Sequence, residues 1–291
     1  MQILDGTATA ASIKKELRNA VDVRKEKGQK IPHLAAILVG NNPASEAYVG
    51  AKVRTCEEIG FESTLLRFDT SITEQDLLNE VQKLNIDTRV DGILVQLPLP
   101  SHISEDAVIN TIAPQKDVDG FHPISQGKMI LGQKGFLPAT PYGILLLLEK
   151  YQIDISGKHC VVVGRSNIVG KPMSVLLARN AHPGNATVTI CHSKTADLPS
   201  ITRQADVLVA AIGRAKFITK EMVKEGAIVI DVGINRIEDS GRKSGYRLVG
   251  DVDFESVAPL CSYITPVPKG VGPMTICGLM KNTLQAVESN E

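Results

Sequence analysis

Tyr48 and Lys52 stand four residues apart in the stretch ASEAYVGAKVRTCEEIG, a spacing that puts both on one face of a helix. A lysine held near a tyrosine hydroxyl in a partly desolvated site has its pKa lowered toward neutrality. It then exchanges protons as a general acid or base. An ordinary surface pair has the same spacing, so the pair alone does not separate the two readings. Gln96 ends the apolar run GILVQLPLP, where a parallel sheet presents its ligand groups. The stretch PQKDVDGFHP sets Asp117 and Asp119 before Gly120, and two acids before a glycine also make a simple turn. A fourth stretch, YITPVPKGVGPMT, is rich in Pro and Gly; it is a rigid pocket wall or a long turn.

A second kind of chemistry is written in CVVVGRSNIVGKPMS. Three valines run into a glycine, as a buried parallel strand does before a phosphate-binding loop. The dinucleotide fingerprint then asks for G-x-G-x-x-G. This loop reads Gly164-Arg165-Ser166-Asn167-Ile168-Val169-Gly170, with the middle glycine gone. Backbone N–H groups at the start of the following helix still favour an anion, and Gly170 still allows close approach of helix and strand. A plain strand-to-helix turn with an exposed arginine is the other reading. The next strand, ATVTIC, runs into His192-Ser193-Lys194-Thr195 with no acid. An NAD site usually carries an Asp or Glu at that point for the ribose 2′-hydroxyl. Two cations, Arg165 and Lys194, suit a 2′-phosphate instead, so NADP fits better than NAD.

These residues need elements to hold them. HLAAILVG (33–40) is expected as a strand and 44–60 as a helix closed by Gly60. ESTLLRF then reads as a strand, TEQDLLNEVQKLN as a helix and 90–100 as a strand ending in prolines. TPYGILLLLEKYQI (140–153) is a linking helix with Pro141 in its first turn. Strands and helices alternate again from KHCVVVG, and GPMTICGLMKNTLQAVE is a closing helix. Such alternation predicts parallel sheets covered by helices. The fold class expected is α/β: two α/β domains with a cleft between them, the second Rossmann-like, and a C-terminal helix returning to the first. The expected division is 1–139 plus 273–291, and 140–272.

The 291 residues suit two domains, and 43% hydrophobic content builds full cores. Lys+Arg and Asp+Glu both number 32, which argues against a general nucleic-acid binder. The longest uninterrupted apolar run, Ile144 to Leu148, is too short for a membrane span. The first twenty residues lack the layout of a signal peptide. Five scattered cysteines without C-x-x-C read as reduced thiols, with no metal site among them. A cytoplasmic protein is the expectation.

The short-chain dehydrogenases also use Tyr-x-x-x-Lys, but after a glycine turn near the N-terminus. Here the pair precedes Gly164 by 116 residues (164 − 48), and that family is set aside. Taken in order, Y-V-x-x-K at 48–52, DGILVQLPLP, PQKDVDGFHP, TPYGI, VVVGRSNIVGKPMS, CHSKT, DVGIN and TPVPKGVGPMT closely resemble the methylenetetrahydrofolate dehydrogenase/methenyltetrahydrofolate cyclohydrolase family. The resemblance covers nearly the whole chain. It implies a bifunctional enzyme of one-carbon metabolism that uses NADP, acts on a small-molecule folate and forms a homodimer, with no metal, nucleic-acid or membrane partner.

Residue by residue, the resemblance implies that Lys52 is the central catalytic group, that Tyr48 stacks on or orients the folate ring system, and that Gln96 bonds the lysine. Asp119 would anchor the pterin. Val95, Leu97, Pro268, Gly272 and Pro273 would line the folate site. Gly164, Arg165, Ser166 and Ser193 would hold the cofactor's phosphate end, and Ile234 would pack near the nicotinamide. One departure stands out. The family commonly has PGGVGPMT, and this chain has Lys269 in place of the first of those glycines. If that position needs positive φ, the lysine is strained; if it does not, the side chain points to solvent or toward the glutamate tail of a folate.

Overall fold

Lys52 is carried by a helix with unusually well-defined ends. Asn42 caps it, its Oδ1 accepting from the N–H groups of Ala44 and Ser45, and Pro43 opens the first turn. Gly60 closes it in the left-handed conformation. The computed structural model describes residues 1–241 and 245–289. In chain order the first elements are β1 (Gln2–Ile3), α1 (Gly6–Glu26), β2 (His33–Val39), α2 (Pro43–Ile59), β3 (Glu62–Phe68), α3 (Glu74–Ile86), β4 (Gly92–Val95), α4 (Glu105–Thr111) and α5 (Pro123–Ile130). Then come α6 (Ala139–Lys150), β5 (His159–Val163), α7 (Gly170–Ala178), β6 (Thr187–Cys191), α8 (Leu198–Thr202), β7 (Val207–Ala210), β8 (Ile228–Asp231), β9 (Asn235–Glu238) and β10 (Tyr246–Val249). The chain closes with α9 (Phe254–Val257), β11 (Tyr263–Ile264) and α10 (Val271–Ser289).

The chain divides into two compact units. The lysine-bearing unit is Ala11–Ala139 together with the chain from Ile276 onward. Its sheet is parallel, in the order β3-β2-β4, with Leu34 to Ile37 opposite Gly92 to Val95. Ala35, Ile37, Ile93 and Val95 meet Leu77 and Val81 of α3 in its core. The strand expected over 90–100 is confined to Gly92–Val95; the prolines that follow have no N–H to give a ladder. The returning C-terminal helix is as expected: Cys56 of α2 meets Met280, and Gln285 donates to the carbonyl of Gly135.

The glycine-loop unit is Met1–Ala10 with Thr140–Thr275. Its sheet runs β1-β11-β8-β7-β5-β6, and every pairing in it is parallel. From β5 the chain pairs first with β6 on one side and then with β7 on the other, so the strand order reverses at β5. Ligands of open parallel sheets bind at the carboxyl ends of strands beside such a reversal. Residues 1–10 were expected with the first domain. Instead Gln2 and Ile3 pair with Tyr263 and Ile264 and form the edge of this sheet, a long-range pairing that two residues cannot announce.

Candidate functional site

In α2 the buried residues are Ser45, Val49, Lys52, Thr55, Cys56 and Ile59. Their spacing of three and four is that of a core-facing helical stripe, and Lys52 stands in phase with Val49, Cys56 and Ile59. The lysine is therefore buried by the helix's own periodicity, with 4% of its surface exposed. Its Nζ donates to Gln96 Oε1 at 3.0 Å and lies 5.4 Å from the centre of the Tyr48 ring. Tyr48, on the same face, is half-buried.

Gln96 follows β4 directly. Its backbone N–H donates to the Ile37 carbonyl, and its side-chain Nε2 donates to the Leu97 carbonyl at 2.8 Å. With the amide nitrogen committed, Oε1 is the atom turned to the lysine. Val95 is buried at the end of β4, and Leu97 is half-buried beyond Gln96.

The two acids of the DVDG turn do different things. Asp117 is 1% exposed and its carboxylate accepts from the N–H groups of Phe121 and His122, at 3.1 and 2.9 Å. Burial pushes its pKa up to about 6. It builds the turn. Asp119 leaves its carboxyl group to face Lys52 electrostatically. Burial raises the Asp119 pKa and the lysine charge opposes the rise. The reciprocal holds at Lys52, whose pKa is lowered by burial while Asp119 pulls it back up. Gly120 takes φ 71° between them and the next segment, and a Cβ there would collide with the Leu137 carbonyl.

In the other unit, the loop Gly164–Val169 leaves β5 beside the loop that leaves β6, since Val163 and Cys191 are register partners. A Cβ on Gly170 would strike the Gly164 carbonyl, so the glycine is what lets α7 start this close to the strand end. Ser166 replaces the missing middle glycine. Its Oγ accepts from the N–H groups of Val169 and Gly170, both at 3.2 Å, and its own O–H still has a proton to donate. Arg165, Ser193 and Lys194 are exposed on these two adjacent loops. Ile234, just past β8, is an exposed apolar side chain at 49%. Small residues, hydroxyls and cations at strand ends fit the pyrophosphate and 2′-phosphate of NADP.

Pro268, Gly272 and Pro273 belong to the glycine-loop unit, Pro268 exposed and the other two half-buried. Lys269 beside them has φ 84°. That position does require the left-handed region, and the lysine occupies it with its side chain exposed.

Two buried polar groups had escaped the sequence reading. Asp251, fully buried, accepts from the N–H groups of Ile212, Gly213 and Arg214 and from Asn235 Nδ2; it fixes the loop after β7. Asn282, on α10, is 1% exposed and donates to the carbonyls of Val118 and Leu137. Asn282 stands between Lys281 and Thr283, so its burial was no more visible in the sequence than that of Asp251. All five cysteines are buried, and none of them forms a disulfide. Among the described residues, no cluster of three His, Cys, Asp or Glu is placed to hold a metal, and no helix is long and apolar enough to cross a membrane.

Comparison with known proteins also gives two parts, with bounds that differ from the compact units at residues 4–10 and from 276 onward. Residues 4–119 match the family model "Tetrahydrofolate dehydrogenase/cyclohydrolase, catalytic domain". Residues 138–291 match the corresponding NAD(P)-binding domain. The "Bifunctional protein FolD" of Cytophaga hutchinsonii is 59% identical over 286 residues, covering 98% of this chain and 99% of its own. The protein of the same name from Phocaeicola vulgatus is 57% identical, with 98% of each chain covered. Among solved structures, the FolD methylenetetrahydrofolate dehydrogenase/cyclohydrolase of Campylobacter jejuni is 50% identical with a TM-score of 0.93 over the whole of both chains. The Trypanosoma brucei enzyme, solved with NADP cofactor and inhibitor, is 37% identical with a TM-score of 0.93, covering 98% of this chain and 97% of that one. Matches this long and this similar leave no segment for another assignment, and the chain belongs to the tetrahydrofolate dehydrogenase/cyclohydrolase family.

Proposed function

We propose that this protein oxidises 5,10-methylenetetrahydrofolate with NADP⁺ and hydrolyses the resulting 5,10-methenyl cation to 10-formyltetrahydrofolate. The observation that carries the reading is the buried Lys52, bonded to Gln96 and electrostatically coupled to Asp119. The glycine loop would hold NADP⁺, which would supply the hydride acceptor for oxidation of the methylene carbon. Ser166, Ser193, Arg165 and Lys194 hold its phosphates, Gly164 allows the backbone to approach them, and Ile234 covers the nicotinamide end. The absence of an acid after β6 and the two exposed cations support NADP over NAD.

Asp119 anchors the pterin, since a carboxylate meets two adjacent N–H donors, and Tyr48 orients the ring system. Val95 and Leu97 line the folate beside Gln96. In the hydrolytic half, a charged lysine would repel the methenyl cation, and burial favours the neutral amine. Neutral Lys52 takes a proton from the attacking water. It returns that proton to the ring nitrogen as the nitrogen's bond to the formyl carbon breaks, and the remaining hydroxyl proton is the one released overall. The Gln96 oxygen accepts one N–H of the amine, which fixes where the lone pair points. The same lysine serves the oxidation by positioning the folate.

The test follows reduced cofactor and methenyl absorbance together, with 5,10-methylenetetrahydrofolate and either NADP⁺ or NAD⁺. Reduced cofactor with NADP⁺ and no lasting methenyl signal is expected. Accumulating methenyl product would remove the hydrolytic half of the proposal, and no reduced cofactor with either nucleotide would overturn it. A homodimer is part of the proposal; its sedimentation mass would be twice the 31.3 kDa of the chain.

A further inference from the structure

The carboxyl group of Asp119 is aimed by the two peptides on either side of its Cα, and both are tied down. The Asp119 carbonyl accepts from the Ala139 N–H at 3.2 Å. The preceding carbonyl, that of Val118, accepts from Asn282 Nδ2 at 2.7 Å. The second hydrogen of the same Nδ2 goes to the Leu137 carbonyl, also at 2.7 Å, the group against which Gly120 is packed. One amide thus joins the acid turn to residues 137–139, from a helix more than 140 residues away in sequence.

The amide does this at a cost. Asn282 Oδ1 is buried with no hydrogen-bond partner among the described residues. A buried acceptor left unsatisfied is destabilising by about 1–3 kcal/mol, comparable to what the two donated bonds contribute. An asparagine here is therefore close to neutral for folding. What it supplies without offset is geometry: with both flanking peptides fixed, only the side-chain torsions of Asp119 remain free.

We propose that Asn282 is a positioning residue that holds Asp119 in register with Lys52 and the folate. The inference rests on the reading of Asp119 as the folate anchor given above. Misplacing a reacting or binding group by about 1 Å costs up to roughly 10²-fold, so a partial loosening of the turn is a tenfold matter.

The experiment compares Asn282→Leu, Asp119→Ala and the double variant. It measures hydrolysis of 5,10-methenyltetrahydrofolate, and the KM for NADP⁺ in the oxidation, well below each variant's unfolding temperature. Asn282→Leu is expected to raise the folate KM about tenfold and to leave the KM for NADP⁺ unchanged. Added to Asp119→Ala, it is expected to change nothing further. Should Asn282→Leu fail to fold, Asn282→Ser keeps one donor for the two carbonyls, and an intermediate folate KM is expected from it. Normal kinetics in a folded Asn282 variant beside a damaged Asp119→Ala would overturn the positioning role alone. Multiplying effects in the double variant would do the same. An inert Asp119→Ala would overturn this inference and the folate-anchor assignment together.

Discussion

Lys52 sits under two opposed influences: burial favours its neutral form, and Asp119 favours its charged form, with burial the larger. The amine is therefore unprotonated at lower pH than the ordinary lysine value of about 10.4. Since the base form grows as pH rises, hydrolysis should climb with pH and level off below that value. Asp119→Asn removes the charge that holds the lysine up, so the inflection should move to lower pH. A pH–rate profile checks this, and an alkaline shift would contradict it. At the other site, Arg165→Ala should raise the KM for NADP⁺ about tenfold or more, the scale of a hydrogen bond to a charged group. The KM for NAD⁺ should stay unchanged, as should hydrolysis of supplied methenyl substrate; equal weakening for both nucleotides would mean the arginine does not read the 2′-phosphate. Tyr48, Lys52 and Gln96 stood out in the sequence by type and position, but spacing alone left an ordinary surface pair open, and the resemblance supplied their roles. Which of Asp117 and Asp119 builds the turn was not legible, since both lie two residues apart before the same glycine and only the path of the backbone tells them apart.

At the scale of the element, α2 shows how a lysine is buried by helical periodicity. Its caps and its core-facing stripe are all written locally, from Asn42 to Gly60. The glycine loop is legible for the same reason: strand, turn and helix are contiguous. The segment around Lys269 is a different case. A non-glycine residue at φ 84° carries a backbone penalty of roughly 1–2 kcal/mol, partly balanced by the greater freedom that glycine has in the unfolded chain. Lys269→Gly should therefore stabilise the protein by about 0.5–1 kcal/mol, read as a higher denaturant midpoint. A lower midpoint would show that the lysine side chain makes a contact worth more than the strain. Nothing in the sequence fixed φ at that position. The comparison with a glycine-bearing motif raised the question, and only the traced backbone answers it.

For the whole molecule, the alternation of strands and helices made two parallel α/β units readable, and their matched domains span 4–119 and 138–291. What sequence order hides is the long-range stitching. Gln2 and Ile3 pair with Tyr263 and Ile264, and Asn282 reaches Val118; both depend on partners that local pattern does not name. In the proposed function the two units also divide the chemistry, with the lysine assigned to proton transfer in one and the loop assigned to the nucleotide in the other. Hydrolysis of supplied methenyl substrate needs no nucleotide, so it isolates the lysine. The most direct test is the rate of 5,10-methenyltetrahydrofolate hydrolysis by the intact protein and by Lys52→Met. The expected result is a loss of about 10²–10⁴-fold, the usual worth of a positioned acid or base, with folate binding largely kept. Hydrolysis at an unchanged rate in the variant would contradict the central role of Lys52.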